Sequence, residues 1–302
     1  MKKLYISALL AVLASLTLSC KKDNSTTSYP SLSGLSITQQ PPYVSVGDVL
    51  TFEYDRSDIT VSTGSMPVVG IYWQVNSAKR DTLTENIAIS NPAFTYKVDT
   101  LGKYTVTCNA YAGSEYYGTS ASSEFQAIDP ATALTGTGAN TTATIAGKTW
   151  TAVNLSTPGS GLAYKYAEVS SQPLGRYYTW QEATTACPSG WHLPSAAEWD
   201  TLGEDAGEIM ADAYFLEEKM WEYWPEVNIT NSTGFNAIPA GYADRSFATA
   251  SFSGLGEYAA FWTADSTGDT AEYRYIIIKQ PKIHKGQGSI TSLALSVRCV
   301  KD

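Results

Sequence analysis

Between residues 36 and 128 the chain alternates apolar and polar residues with a period of two, in short runs broken by turn residues. The runs are LSITQQ, SVGDVLTFEYD, VVGIYWQVN, FTYKVD, KYTVTCNAYAG and SSEFQAID, rich in Val, Ile, Thr, Tyr and Phe. Successive side chains of a strand point to opposite faces, so such a run buries one face and wets the other. Pro41-Pro42, Val46-Gly47-Asp48, Ser62-Thr63-Gly64, Asn91-Pro92 and Leu101-Gly102-Lys103 interrupt the runs where a chain must turn. About seven strands arranged this way predict a two-layered, all-β sandwich.

Trp73, central in GIYWQVN, and Tyr104, at the start of KYTVTC, sit where an immunoglobulin-like sandwich keeps its core Trp and its corner Tyr. The segment 36–128 therefore resembles an Ig-like or PKD-like module. Cys108 has no second cysteine within it. Two readings of Cys108 stand: a reactive or intermolecular thiol, or a small apolar residue buried on its strand.

The 302 residues are 43% hydrophobic and 16% charged, an ordinary globular composition for about two domains. A net charge of −9 argues against sequence-independent binding of nucleic acid. His192 and His284 are the only histidines, and Cys20, Cys108, Cys187 and Cys299 are spread over the whole length. No metal-ligand spacing results, and no metal or cofactor is expected.

Residues 1–20 read MKKLYISALLAVLASLTLSC: a basic start, an apolar run too short for a comfortable membrane span, and Ser19 directly before Cys20. This resembles a bacterial lipoprotein signal, which implies that residues 1–19 are removed and that Cys20 is acylated. An ordinary cleaved signal or an uncleaved anchor would also keep the rest of the chain outside the cytoplasm. Polar residues 20–35 are expected to form a flexible tether. The expected location is the bacterial cell envelope, as an outer-membrane lipoprotein exposed at the cell surface.

Residues 129–144, DPATALTGTGANTTAT, lack periodicity and are expected to be a linker. From residue 145 onward the composition changes, with seven of the eight Trp. TWQEATTAC predicts a short helix capped by Thr179, with Ala183, Ala186 and Cys187 inward, stopped by Pro188-Ser189-Gly190. Ser195 and Glu198 form an S-x-x-E capping box for a second helix that turns Trp199 and Leu202 inward. YRYIIIKQ and SLALSVRCV are apolar enough for buried strands.

The blocks GKTWTAVNL, YYTWQEATTACPSGWHLPSAAEWDTL, GFNAIPAGY, FWTAD and SVRCVKD, in this order, closely resemble the FISUMP family, the major paralogous domain of surface proteins of gut and rumen bacteria. The resemblance covers 145–302 and implies an α+β variant of the C-type-lectin-like fold. It also implies a disulfide between Cys187 and Cys299. Against calcium-dependent relatives of that fold, Gln280-Pro281-Lys282 puts a cation where a ligand carboxylate is needed, and Trp262-Thr263-Ala264-Asp265 lacks the Asn. The shared HLPSAAEW block of formylglycine-generating enzymes comes without their cysteines.

Glu217, Glu218, Glu222 and Glu226 are read as a solvated surface, with Glu218 and Glu222 on one helical face. No catalysis is expected. The candidate ligand site lies between the second helix and FWTAD, where lectin-like folds vary their loops. Trp221, Tyr223, Trp224 and Tyr242 offer flat faces, and Asp244 and Arg245 offer directional hydrogen bonds. The opposing reading makes Trp221 and Trp224 core residues. The sequence thus points to two domains, an Ig-like sandwich followed by a lectin-like module, which bind a glycan or a protein in adhesion or recognition. The alternative is a structural subunit of a surface or pilus assembly.

Overall fold

The computed structural model describes residues 32–55, 60–61, 68–77, 80–87, 93–112, 117–221, 227–278 and 280–302. Cys20, with the leader and most of the expected tether, lies outside them.

The first body is a sandwich of two antiparallel sheets with one parallel edge pairing. Strands β1 (Ser36–Ile37), β3 (Val49–Asp55) and β6 (Ala93–Lys97) form one sheet. The other runs β2 (Tyr43–Ser45), β8 (Tyr117–Ile128), β7 (Gly102–Ala112), β4 (Val68–Ser77), β5 (Arg80–Ile87), and β2 pairs parallel to β8. This is an Ig-like topology, and the alternation in the sequence explains it. In β3, Leu50, Phe52 and Tyr54 are buried while Val49, Thr51, Glu53 and Asp55 face water.

Trp73 is fully buried and stacks on Phe94 at 5.4 Å, and Tyr104 stacks on Phe125 at 5.2 Å. The Tyr104 hydroxyl donates to the Thr100 carbonyl at 2.8 Å, which closes the corner before β7. Cys108 is buried in this core, and burial pushes its thiol up to about 12. A neutral, enclosed thiol is an apolar packing residue.

Ordered structure reaches beyond both expected boundaries of this body. Leu32–Ser33 pairs with Thr60–Val61, and Leu35 joins the core, so the tether ends before these residues. Residues 129–144 are no free linker either. The Asp129 carboxylate accepts the Ala131 N–H at 2.9 Å, Ala133 is buried, and Leu134–Thr135 pairs with Tyr214–Phe215. Short polar residues formed compact turns here because each turn found backbone partners. Ile128 enters a core shared with Ala133 and Leu174, and Tyr43 packs edge-on to Phe215 at 5.4 Å. The two bodies therefore meet through apolar contacts.

The second body is mostly β. Its helices are single turns: α1 (Ser171–Leu174), α2 (Trp180–Ala183) and α3 (Ala196–Asp200). Thr179 with Glu182, and Ser195 with Glu198, form the capping boxes that start α2 and α3. The helices expected from the sequence are longer. They stop early because hydroxyls behind them take their carbonyls: Thr184 bonds Gln181 at 2.8 Å and Thr201 bonds Glu198 at 2.6 Å. Glu218, expected on a helix, lies in the two-residue strand Glu218–Lys219.

Three small sheets follow. The final strand, Val300–Lys301, lies between Lys148–Thr151 and Trp191–His192, so the two ends of the body meet. Near this junction Cys187 and Cys299 form a disulfide across 112 residues. A second sheet orders Tyr178–Thr179, β14 (Leu293–Leu295), β9 (Tyr242–Asp244) and β10 (Ser251–Ser253). The third is a meander of β11 (Tyr258–Thr267), β12 (Thr270–Ile277) and β13 (Gln280–Ser289). Trp150, Trp199, Phe235 and Phe261 form an aromatic core beneath it, with Trp150 and Trp199 edge to face at 5.2 Å.

The last residue is clamped by charge. His192 Nδ1 lies 2.6 Å from Asp302 Oδ1, and its Nε2 lies 3.1 Å from Glu198 Oε1, which also accepts from Lys148 Nζ at 2.7 Å. Partial burial opposes the imidazolium, but the bonds to Asp302 and Glu198 outweigh it and raise the His192 pKa. Burial likewise opposes the Glu198 carboxylate, and its bonds to Lys148, the Ser195 N–H and His192 still hold it at about 2.

The signs give a window. The His192 contribution is complete below its unfolded value of 6.5 and fades as pH rises through the higher folded value. The Glu198 contribution is complete above 4.5 and fades as pH falls toward about 2. The pair stabilises most between these limits. Melting temperatures measured from pH 4 to 9 are expected to show an alkaline decline that His192→Gln flattens; an unchanged profile would contradict the clamp.

Candidate ligand-binding cleft

Strand alternation divides the meander into two chemical faces. On β12, Arg274 and Ile276 turn inward and are buried, while Tyr273 and Tyr275 share the opposite face and stay half-buried. Register pairs Tyr275 with His284 and Tyr273 with Gly286 on β13. Gly286 is a close-approach glycine: a Cβ there would stand 2.4 Å from Cζ of Tyr273, so the ring occupies the space a side chain would fill.

Tyr258, at the start of β11, joins this face, with ring centroids 5.3 Å from Tyr275. Tyr242 from β9 meets Tyr258 edge to face at 5.4 Å. At the other end, Tyr275 stacks on His284 at 5.0 Å. On the same face, Tyr273 contacts its register partner Trp262 edge to face at 5.9 Å, and the buried Trp262 indole donates to the Tyr178 carbonyl at 2.7 Å. The belt is thus anchored at its Tyr273 end. Burial, and then a hydrogen bond with Tyr273, raise the Tyr258 pKa well above the ordinary tyrosine value, so its hydroxyl stays neutral.

Tyr242, Tyr258 and Tyr273, with Leu293 and Leu295, line a cleft of about 480 Å³, and Ser253 and Glu257 stand at its rim. Gly241 sets the approach of the strands that carry Tyr242 and Ser253. Its φ of 81° is left-handed, and a Cβ there would lie 2.3 Å from the Ser253 carbonyl, so β9 and β10 approach closely only with glycine. Such a cleft offers flat apolar faces, one carboxylate, and the hydroxyls of Ser253 and the three tyrosines. That is a binding surface of the kind small ligands and side chains occupy.

Of the candidates read from the sequence, Tyr242 alone is placed in this cleft. Trp221 is buried in the aromatic core and is no ligand platform; its apolar surface is enclosed with Met210 and Phe235. Tyr223 and Trp224 lie outside the described residues. Asp244 accepts from the Ser246 N–H at 2.8 Å and its hydroxyl at 2.6 Å, closing a turn. Arg245 Nη1 donates to both Glu182 oxygens, at 2.8 and 2.9 Å, and ties its loop to α2. One oxygen of Asp244 and one nitrogen of Arg245 are thus engaged within the chain, and neither residue lines the cleft. Asp265, compared above with a calcium-binding strand, accepts the Ala196 N–H at 2.6 Å at the start of α3.

Tyr258, Tyr273, Tyr275 and Glu257 were not singled out by sequence reasoning. The signal was Tyr273-x-Tyr275 on one strand opposite H-K-G on the next, which sets one ring against a glycine and the other against a histidine.

The profile of the Fibrobacter succinogenes major domain matches residues 132–301, more than half of the chain. The chain belongs to this family. The match takes in the cleft, the disulfide and the turn at Thr132 and Ala133, in agreement with the inclusion of 132–144 in the second body. No curated protein matches the chain. Among solved structures it is similar to the PKD domain of the human VPS10 domain-containing receptor SorCS2, at 18% identity and a TM-score of 0.23, over 34% of this chain and 76% of that one. It is also similar to the CARDB domain of a Pyrococcus furiosus protein, at 16% identity and a TM-score of 0.22, over 36% and 97%.

Proposed function

We propose that this Fibrobacter succinogenes major domain protein is a lipid-anchored envelope protein whose second body recognises an external glycan or protein without catalysis, with the first body as its stalk. The observation that carries the reading is the belt of half-buried tyrosines around the 480 Å³ cleft. Apolar ring faces kept at a surface are a feature of binding sites rather than of a solvated face. The leader ending at Cys20 supports the anchor, and the block order of 145–302 supports a C-type-lectin-like ancestry with its calcium positions changed.

A screen of glycans, mucin and matrix proteins, with and without chelator, tests this. Saturable binding is expected to survive chelation and to fall at least about tenfold in Tyr242→Ala, the loss of one stacking ring. Failure of every ligand, with self-association of the purified protein, would replace recognition by an assembly role.

A further inference from the structure

We propose that the tyrosine cleft selects an ammonium group; this rests on the recognition reading and deepens it. The inference starts from how the meander sorts its charges. Arg274 and Lys285 are register partners, and both reach Asp200, at 3.0 and 2.9 Å, on the face away from the tyrosines. Arg274 also pairs with Glu272 at 3.2 Å. Arg274 and Lys285 are thus compensated on the opposite face, and Lys282, also on β13, is not among the lining residues. Among the described residues, none that lines the cleft is basic.

The charge that remains at the cleft is negative. Glu257 is exposed at its rim and makes no ion pair or side-chain hydrogen bond among the described residues. The walls are ring systems, whose faces carry partial negative charge and attract cations. A neutral sugar would want many donors and acceptors around its hydroxyls, whereas most of this lining is ring face and aliphatic side chain. A desolvated ammonium asks instead for what is present, several ring faces and one carboxylate. The net charge of −9 adds a long-range attraction of the same sign. At about 480 Å³ the cleft has room for a trimethylammonium head and its linker.

Choline and its neutral isostere 3,3-dimethyl-1-butanol differ by the charge alone, and ligand-observed NMR titration of the full chain compares them directly. Choline is expected to bind roughly tenfold more tightly than the isostere. Glu257→Gln, an exposed substitution without a packing partner to disturb, is expected to remove most of that preference while isostere binding stays. Nα-acetyllysine methylamide and glucosamine, titrated alongside, distinguish a peptide from a sugar as the source of the ammonium. Equal binding of choline and isostere, or a preference that survives Glu257→Gln, overturns the inference. If a neutral ligand still binds and is lost in Tyr242→Ala, the recognition reading stands without it. If no probe and no panel ligand binds, both fall.

Discussion

A Cys187→Ala/Cys299→Ala double variant is expected to lose about 4 to 5 kcal/mol of stability, the chain-entropy value for a closed loop of this length. The bond spans 112 residues and joins the segment after α2 to the final strand. Without it the unfolded second body gains the freedom of about two thirds of its chain. For a chain of this size the loss corresponds to a fall in melting temperature on the order of 10 °C. Calorimetry of the double variant, and of the native protein with and without reductant, checks both numbers. Removing both cysteines avoids a stranded thiol, so the result reports the cross-link. A loss below about 1 kcal/mol would mean that the junction of terminal strands already restrains the unfolded chain.

Arg298→Leu is expected to be comparably damaging, for a different reason. The guanidinium is buried, and burial pulls its pKa down, yet among the described residues no carboxylate pairs with it. Four acceptors hold it: Asn154 Oδ1 at 2.8 Å and the carbonyls of Thr151, Phe235 and Asn236 at 3.0, 2.6 and 2.9 Å. It also lies over the Phe235 ring at 4.4 Å. These partners come from Thr151 and Asn154 near the start of the body and from Phe235 and Asn236 in its middle, so one side chain joins the body's beginning, middle and end. Leucine fills part of the volume and leaves several buried acceptors without donors, at about 1 to 3 kcal/mol each. A loss of at least about 3 kcal/mol is expected in urea denaturation. Arg298→Lys is expected to rescue little, since an ammonium cannot reproduce the planar fork that spans four acceptors. A near-neutral Arg298→Leu would mean that the carbonyls find other donors.

Local pattern carried much of this architecture. The alternation of Leu50, Phe52 and Tyr54 is what one buried face of a strand demands, and Trp73 and Tyr104 sit where a sandwich needs its core ring and its corner. The two capping boxes were legible because the residues that make them are three apart. The cysteine pairing came from resemblance, and the geometry carries it.

What escaped depends on contacts distant in sequence. That the Arg245 charge is already paired was decided by Glu182, 63 residues away. Trp221 could be core or platform until the packing of Phe235 and Trp199 was known. The linker was misread because Thr, Ala and Gly without periodicity describe a flexible chain and a set of tight turns equally well. The cleft joins Tyr242, Tyr258 and Tyr273 from three strands, and only their pairing puts the rings side by side. Within one strand, Tyr273-x-Tyr275 facing Gly286 was the visible part of it.

The central claim, that the tyrosine belt is where this protein meets its ligand, is tested most directly by NMR of tyrosine-labelled protein titrated with whichever ligand the screens return. The account predicts that the resonances of Tyr242, Tyr258 and Tyr273 move together and saturate with one affinity, with Tyr104 and Tyr54 of the sandwich unchanged. Saturation that moves the sandwich tyrosines and leaves the belt still would place recognition on the first body and contradict it.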